Sequence, residues 1–233
     1  MDKHSFVGYL NSYNILVDSA QIDLLFSLMK DTLEANEKFN LTSIKEEDAF
    51  LEKMVLDSAL GIIGLDINNK KAIDVGTGAG FPGMVLKIIN PSIDMTLLDS
   101  TNKKIEHLRQ LSNKYGLDNN CVSDRAESYA RKHVEQYDFA FARAVSSLNI
   151  LIELIAPILK VNGTFVALKG PIVDEEIKQA EKGLRKLNLK IEKIHNYTLP
   201  ISKEERNIVW IRKISKTDTK YPREYNQIKK RPL

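Results

Sequence analysis

The residue types that point most clearly to chemistry lie between Asp74 and Gly83. They read Asp-Val-Gly-Thr-Gly-Ala-Gly-Phe-Pro-Gly. The preceding segment, Lys71–Val75, is a short apolar strand, and Phe81–Asn90 then has the spacing of a helix with one apolar side. Glycines in front of a helix N-terminus let a ligand approach bare backbone. The pattern therefore predicts a small-molecule site at a strand-to-helix junction.

Two classes of cofactor fit this glycine loop. Residues 78–83 match the G-x-G-x-x-G dinucleotide fingerprint, and Asp99 lies about twenty residues on, where that fingerprint places a ribose ligand. The stretch also fits acid-x-Gly-x-Gly-x-Gly, which resembles motif I of the S-adenosylmethionine-dependent methyltransferases, through Asp74, Gly76, Gly78 and Gly80. A carboxylate at the strand end suits an ammonium or sulfonium better than a pyrophosphate. A methyltransferase is therefore favoured over an NAD-dependent oxidoreductase, and a turn without a ligand is favoured least.

Strands and helices alternate from Lys71 onward. The predicted strands are Lys71–Val75, Asp94–Asp99, Asn119–Ser123, Tyr137–Ala142, Gly163–Leu168, Lys190–Tyr197 and Arg206–Ile214. The helices predicted between them are Phe81–Asn90, Lys103–Tyr115, Ala126–His133, Ser147–Ile158 and Asp174–Leu187. Such alternation indicates a mostly parallel sheet with helices on both faces, and the last two strands should pair antiparallel. This arrangement is typical of Rossmann-like class I methyltransferases, whereas a dinucleotide fold should end in a sixth parallel strand.

The first sixty residues predict helices only. One helix covers Lys3–Tyr13, a second contains Ile22 to Leu33 behind a cap at Asp18 or Ser19, and a third covers Glu46–Leu60. We therefore expect an α/β protein with a Rossmann-like class I methyltransferase sheet and an N-terminal helical cap. The expected division is 1–66 for the cap, 67–214 for the methyltransferase domain and 215–233 for a basic C-terminal tail.

Composition narrows the class of protein. The chain has 233 residues, 43% of them hydrophobic, and a single cysteine, so an internal disulfide framework is excluded. The sequence has neither an apolar run of membrane-spanning length nor a signal-peptide pattern, which predicts a cytoplasmic protein. Metal-ligand spacing is not found among the histidines, so no metal is expected; these are His4, His107, His133 and His195.

Charge is distributed unevenly along the chain. The net charge is +3, but the segment from Arg212 to Leu233 carries eight Lys or Arg and two acids, hence +6, which leaves −3 for the remainder. Tyr221 and Tyr225 lie among these charges. A basic tail with aromatic residues could bind nucleic acid, and a merely solvated terminus is the alternative. We expect such a tail to supply RNA affinity without affecting cofactor affinity.

The ends of the predicted strands supply the candidate ligands, because open α/β sheets bind ligands at that edge. Asp99 could accept both ribose hydroxyls, or it could cap the next helix. Ala126 and Glu127 lie where this fold contacts adenine, although Glu127 also suits the first turn of a helix. Arg143 could bind guanine acceptors or the cofactor, and its alternative is an exposed ion pair.

The residues after the fourth strand indicate which atom is methylated. Residues 141–147 lack the Asn/Asp-Pro-Pro-aromatic motif common in enzymes that methylate exocyclic amines, and no carboxylate ends this strand. Carbon methylation of pyrimidines needs a thiolate, and Cys121 lies within the third strand, where a packing role is more typical. Guanine N7 needs alignment with the methyl donor and no general base. The sequence therefore favours guanine N7.

The chain as a whole resembles the bacterial methyltransferases that modify a guanine N7 in small-subunit ribosomal RNA, also called glucose-inhibited division protein B. The matching segments are 39–42, 56–58, 74–83, 98–100, 142–145, 168–170, 220–223 and 230–233. Two departures accompany them. Lys53-Met54 stands where the family usually has Arg-His, and the tail lacks the usual Gly-x-Pro at 224–228.

The resemblance implies an activity, a cofactor and a set of contacts. It implies S-adenosylmethionine-dependent methylation of 16S rRNA, at guanine 527 in the family's RNA numbering, by a monomer acting on the RNA or the small subunit. The family's cofactor contacts map onto Gly76, Phe81, Ala126, Glu127 and Arg143. Arg143 and Lys169 are expected near the target. The expected RNA contacts are Lys220, Arg223, Lys229, Lys230 and Arg231. A non-catalytic RNA-binding protein with this fold is a further alternative.

Overall fold

The computed structural model describes residues 1–233 except for the side chain of Phe39. Phe39 opens one of the segments that carry the family resemblance, so that side chain lies outside the described residues. The N-terminal part consists of α1 (Lys3–Ser12), α2 (Ser19–Phe39), α3 (Glu47–Phe50), a π-helical segment (Leu51–Leu56) and α4 (Asp57–Leu60).

The predicted N-terminal helices are confirmed, including a cap at Asp18. The Asp18 carboxylate accepts a hydrogen bond from the Gln21 N–H, and the Gln21 side chain accepts one from the Asp18 N–H. This reciprocal capping box satisfies two backbone donors that a helix start leaves free. The predicted helix Glu46–Leu60 is a run of α, π and α turns, which the apolar spacing alone does not distinguish.

Seven strands and six helices are described over the rest of the chain. The strands are β1 (Lys71–Val75), β2 (Asp94–Asp99), β3 (Asn120–Ser123), β4 (Tyr137–Arg143), β5 (Leu159–Lys169), β6 (Leu189–Thr198) and β7 (Glu205–Lys213). The helices are α5 (Gly83–Ile89), α6 (Asn102–Tyr115), α7 (Ala126–Lys132), α8 (Leu148–Ile155) and α9 (Val173–Lys186). A last helix, α10 (Tyr225–Lys230), lies in the C-terminal tail.

The strands form one sheet in the order β3-β2-β1-β4-β5-β7-β6. β1 to β5 are parallel, and β7 runs antiparallel to both β5 and β6, as predicted for the last two strands. β5 begins at Leu159, earlier than predicted, because its pairing with β4 shifts register between Tyr137 and Phe139. The chain order reverses at β1, so β1 and β4 flank the point where such sheets bind ligands.

The N-terminal helices share a hydrophobic core with the sheet. One cluster of buried residues contains Phe6, Leu25 and Phe50 from the helices together with Leu97 and Phe141 from the strands. These residues are fully or almost fully buried. The helices are therefore packed on the sheet, and the division of the chain at residues 66 and 214 stays a prediction.

The C-terminal tail folds back onto the sheet domain. Arg223 binds the buried Glu153 of α8 with its backbone N–H and its guanidinium, and the pair includes Nη2 to Oε2 at 2.6 Å. Arg131 of α7 donates to the Pro222 carbonyl oxygen, and Ile228 is buried. The tail thus contributes to folded structure. Within the described part of the chain, none of the helices is both long and apolar enough to span a membrane.

Candidate cofactor and substrate site

A cavity of about 1240 Å³ opens at the carboxyl ends of the parallel strands. Its walls come from the loop after each of β1 to β5, together with the segment before α4 and part of the tail. Ligand sites in proteins commonly measure about 300–1,000 Å³, so this cavity has room for a cofactor and part of a second molecule. It extends along the sheet edge from the β3 end to the β5 end.

The glycine loop forms the floor of this cavity. The N–H groups of Gly76 and Thr77 donate to the Leu98 carbonyl oxygen at 2.8 and 3.0 Å, which ties the loop to β2. Gly78 has a φ of +58°, and a Cβ added there would meet only the Gly76 carbonyl oxygen, at 3.8 Å. The space above Gly78 is therefore open, and a side chain in that space would project into the cavity.

Asp74 lies behind the loop and is not part of the cavity wall. Its Oδ2 accepts hydrogen bonds from Thr77 Oγ1 at 2.7 Å and from the Gly83 N–H at 2.8 Å, while Oδ1 has no partner. Complete burial raises the pKa of this carboxyl to about 6. The prediction that Asp74 faces the cofactor therefore needs correction: this carboxylate holds the loop against the start of α5.

Asp99 binds the glycine loop and the start of the next helix, and its contact with a ribose stays a prediction. Its Oδ1 accepts from the N–H of Thr101, the cap residue of α6, at 2.8 Å, and its Oδ2 accepts from the Gly78 N–H at 3.1 Å. The residue also lines the cavity. A carboxylate has about four lone-pair positions, so two remain for the hydroxyls of a ligand.

Ala126 and Glu127 lie at the β3 end of the cavity, as predicted. They begin α7, and both line the wall. Glu127 is 8% exposed, and its Oε1 lies 3.2 Å from the Nε of Arg125. Arg125 therefore fixes the position of the Glu127 carboxylate at this end.

Arg143 lies in the wall at the opposite end but binds chiefly to the N-terminal helices. Its Nη1 donates to the Lys53 carbonyl oxygen at 2.7 Å and lies 3.3 Å from Asp57 Oδ2. Its guanidinium carbon lies 5.8 Å from the centre of the Phe81 ring, which is almost buried and also lines the cavity. The alternative of an exposed ion pair is wrong, because the Arg143 side chain is only 11% exposed.

Lys169 lies near Arg143 at the end of β5. Its Nζ donates to the Ser146 carbonyl oxygen at 2.8 Å and to Glu176 Oε2 at 2.7 Å, and the residue is 7% exposed. Glu176 also accepts from the Leu148 N–H. These contacts fix the loop after β4 from both sides, opposite the glycine loop.

Several lining residues were not assigned to the cavity from the sequence, among them Asp57, Arg206 and Tyr225. Asp57 is 3% exposed, accepts from the Tyr197 hydroxyl at 2.6 Å and lies 3.7 Å from Arg206 Nε, so it joins the N-terminal helices to β6 and β7. Asp57 lies in a segment carrying the family resemblance, which was a usable signal. Arg206 and Tyr225 also line the cavity. They are brought there by contacts between distant segments, which spacing does not reveal.

Four of the five predicted RNA contacts are exposed in the tail; these are Lys220, Lys229, Lys230 and Arg231. Arg223 requires correction because its guanidinium is held by Glu153, which also raises the pKa of this arginine. Cys121 is half-buried, and burial raises the pKa of its thiol, which disfavours a thiolate. Among the described residues, no three His, Cys, Asp or Glu side chains are grouped as a metal would require.

The fold places the protein among the class I S-adenosylmethionine-dependent methyltransferase structures. A SAM-dependent methyltransferase from Aquifex aeolicus matches 71% of this chain and 93% of its own, with a TM-score of 0.52 and 17% identity. Aeropyrum pernix fibrillarin, solved with bound S-adenosyl-L-methionine, matches 66% of this chain and 72% of its own, with a TM-score of 0.52 and 14% identity. At such identities the likeness concerns the fold alone.

Sequence comparison identifies the family within that class. The family model for rRNA small subunit methyltransferase G matches residues 21–209. The protein of that name from Alkaliphilus metalliredigens is 42% identical over 93% of this chain and 92% of its own. The one from Bacillus subtilis is 41% identical over 100% of this chain and 99% of its own. The chain belongs to the rRNA small subunit methyltransferase G family.

Proposed function

We propose that this protein transfers a methyl group from S-adenosylmethionine to N7 of a guanine in 16S rRNA, at the family's guanine 527. The observation that carries the proposal is the glycine-floored cavity in a chain that belongs to the rRNA small subunit methyltransferase G family. The substrate would be the RNA or the small ribosomal subunit, bound by a cytoplasmic monomer.

The lining residues fit S-adenosylmethionine from one end of the cavity to the other. The open space above Gly78 admits a ligand against bare backbone. Asp99 keeps lone pairs for ribose hydroxyls, and Ala126 with Glu127 would contact adenine at the β3 end. When bound, the cofactor would supply an electrophilic methyl group on its sulfonium. Gly76, Phe81 and Arg143 line the wall toward the β4 end, where that group would lie.

The β4 end suits a nucleophile that needs no deprotonation. Three carboxylates line this end. Asp57 is held by Arg143 and Glu176 by Lys169, whereas Glu175 is an exposed residue of α9. The ion pairs hold the Asp57 and Glu176 carboxylates against the cavity walls. Guanine N7 carries a free lone pair and loses no proton on methylation. The work left to Arg143 and Lys169 is to fix the walls and present positive charge to guanine acceptors.

The contacts of Asp74 argue against the NAD-dependent alternative. A dinucleotide places its pyrophosphate on the N–H groups at the start of the helix after the glycine loop. Here Asp74 accepts the Gly83 N–H at the start of α5, so a carboxylate already occupies that donor and would repel a phosphate.

Calorimetry separates these cofactors directly. We expect the purified protein to bind S-adenosylmethionine and S-adenosylhomocysteine, and not NAD. Binding of NAD alone would overturn the proposal. Cofactor binding without methyl transfer to RNA would instead support a non-catalytic RNA-binding protein.

A further inference from the structure

Tyr225 is the sole lining residue, among those the structure describes, that the C-terminal segment 215–233 contributes to the cavity. It begins α10 and lies beside Arg125, whose guanidinium carbon is 4.8 Å from the centre of the Tyr225 ring. Arg125 in turn binds Glu127. Tyr225 therefore belongs to the β3 end of the cavity, which is the end assigned to adenine.

The contacts on either side of Tyr225 fix its position. Arg223, two residues before it, makes three hydrogen bonds to the fully buried Glu153. The adjacent Glu224 lies 2.8 Å from Arg131 of α7. Ile228, one turn later, is fully buried. These partners come from α7, which follows β3 at the adenine end, and from α8, so the chain on both sides of Tyr225 is held in place.

We propose that Tyr225, supported by Arg125, forms the outer wall of the adenine end and positions the adenine ring of the cofactor. The proposal rests on the proposed function, since it assigns an adenine nucleoside to this cavity. Aromatic rings offer a flat apolar surface on which a base can stack, and the guanidinium on Tyr225 keeps that ring in place. The tail would then supply cofactor affinity, contrary to the expectation from sequence.

The alternative role for Tyr225 is to anchor the tail without touching a ligand. Four variants separate the two roles. Tyr225→Ala removes the ring, Tyr225→Leu keeps an apolar side chain for packing, and Tyr225→Phe keeps the ring. Gln227→Ala changes an exposed residue of the same helix and serves as the matched control.

The experiment measures binding of S-adenosylmethionine and of adenosine by calorimetry, with the melting temperature of each variant. We expect Tyr225→Ala and Tyr225→Leu to weaken both ligands about tenfold, the scale of one base stacked on one aromatic side chain. Tyr225→Phe and Gln227→Ala should bind like the wild type. Adenosine is included because it carries the adenine and ribose without the methionine part.

Wild-type affinity for both ligands in folded Tyr225→Leu would overturn the proposal, and a lowered melting temperature alone would assign Tyr225 to anchoring. Failure of the proposed function gives a different result. In that case the wild-type protein would bind adenosine without transferring methyl groups, and the adenosine measurements would still decide the role of Tyr225. A wild-type protein that binds neither ligand would overturn both.

Discussion

Individual glycines of the loop serve two different purposes. A Cβ at Gly83 would lie 2.3 Å from Leu97 Cδ2 and 3.0 Å from Asp74, so this glycine is required for packing. A Cβ at Gly78 would enter open space in the cavity. Gly116 has a φ of +64° and open space around it too, but it lies at the end of α6 and outside the cavity.

Gly78→Val should therefore abolish cofactor binding in a folded protein. A side chain at positive φ costs about 1–2 kcal/mol in backbone strain. Gly116→Val introduces the same strain outside the cavity and is therefore the control. Calorimetry with S-adenosylmethionine should show wild-type affinity for Gly116→Val and none for Gly78→Val. Equal affinities in the two variants would remove the glycine loop from the site.

Asp74 gives the cofactor-free protein a pH-dependent stability. Burial raises its pKa to about 6, above the usual value of 3.8. The protonated Asp74 carboxyl therefore contributes its full share of the free energy of unfolding below the unfolded pKa of 3.8. That contribution is lost as pH rises through about 6. Asp74→Asn does not titrate, so its stability relative to the wild type should rise between pH 4 and pH 7, by up to roughly 3 kcal/mol. Urea unfolding at each pH measures this, and a constant difference would mean that the pKa is not raised.

At the level of elements, the clamp between the tail and α8 depends on one buried ion pair. Glu153 is fully buried, so removing Arg223 leaves a carboxylate without its cation. Arg223→Ala should lower the free energy of unfolding by about 3 kcal/mol. Lys229→Ala, in the exposed part of the same tail, should change it by less than about 0.5 kcal/mol. Equal effects in urea unfolding would show that the tail is not held by this pair.

The regular elements were predictable, and the contacts between distant elements were not. β1 and β2 were predicted with their observed bounds because apolar runs and flanking turn residues are local signals. The cavity follows from them, since parallel strands bring their carboxyl ends to one edge. The pair Asp57–Tyr197 joins residues 140 positions apart, and Arg223–Glu153 spans 70. Residue spacing does not reveal such pairs. For that reason the sequence predicts an RNA contact for Arg223 and places Tyr225 in a tail that could bind nucleic acid, not in the cavity.

For the whole molecule, we expect the positive charge concentrated in the C-terminal tail to govern RNA affinity. Four exposed cations of the tail remain candidates for phosphate contacts: Lys220, Lys229, Lys230 and Arg231. Replacing all four with Ala should reduce the slope of log affinity against log salt by about 1.4, if half of them touch phosphate at ~0.7 per contact. Arg185→Ala on α9 is a control for loss of an exposed cation outside the tail. An unchanged slope in the fourfold variant would place the RNA elsewhere.

The central claim is methyl transfer to guanine N7 of 16S rRNA. The most direct test incubates the purified protein with S-adenosylmethionine and small subunits from a strain lacking its own enzyme of this family, and then identifies the nucleosides by mass spectrometry. We predict one 7-methylguanosine per 16S rRNA, formed by the wild type and absent with Gly78→Val. A methyl group on another atom, or no transfer by a protein that binds the cofactor, would contradict the account.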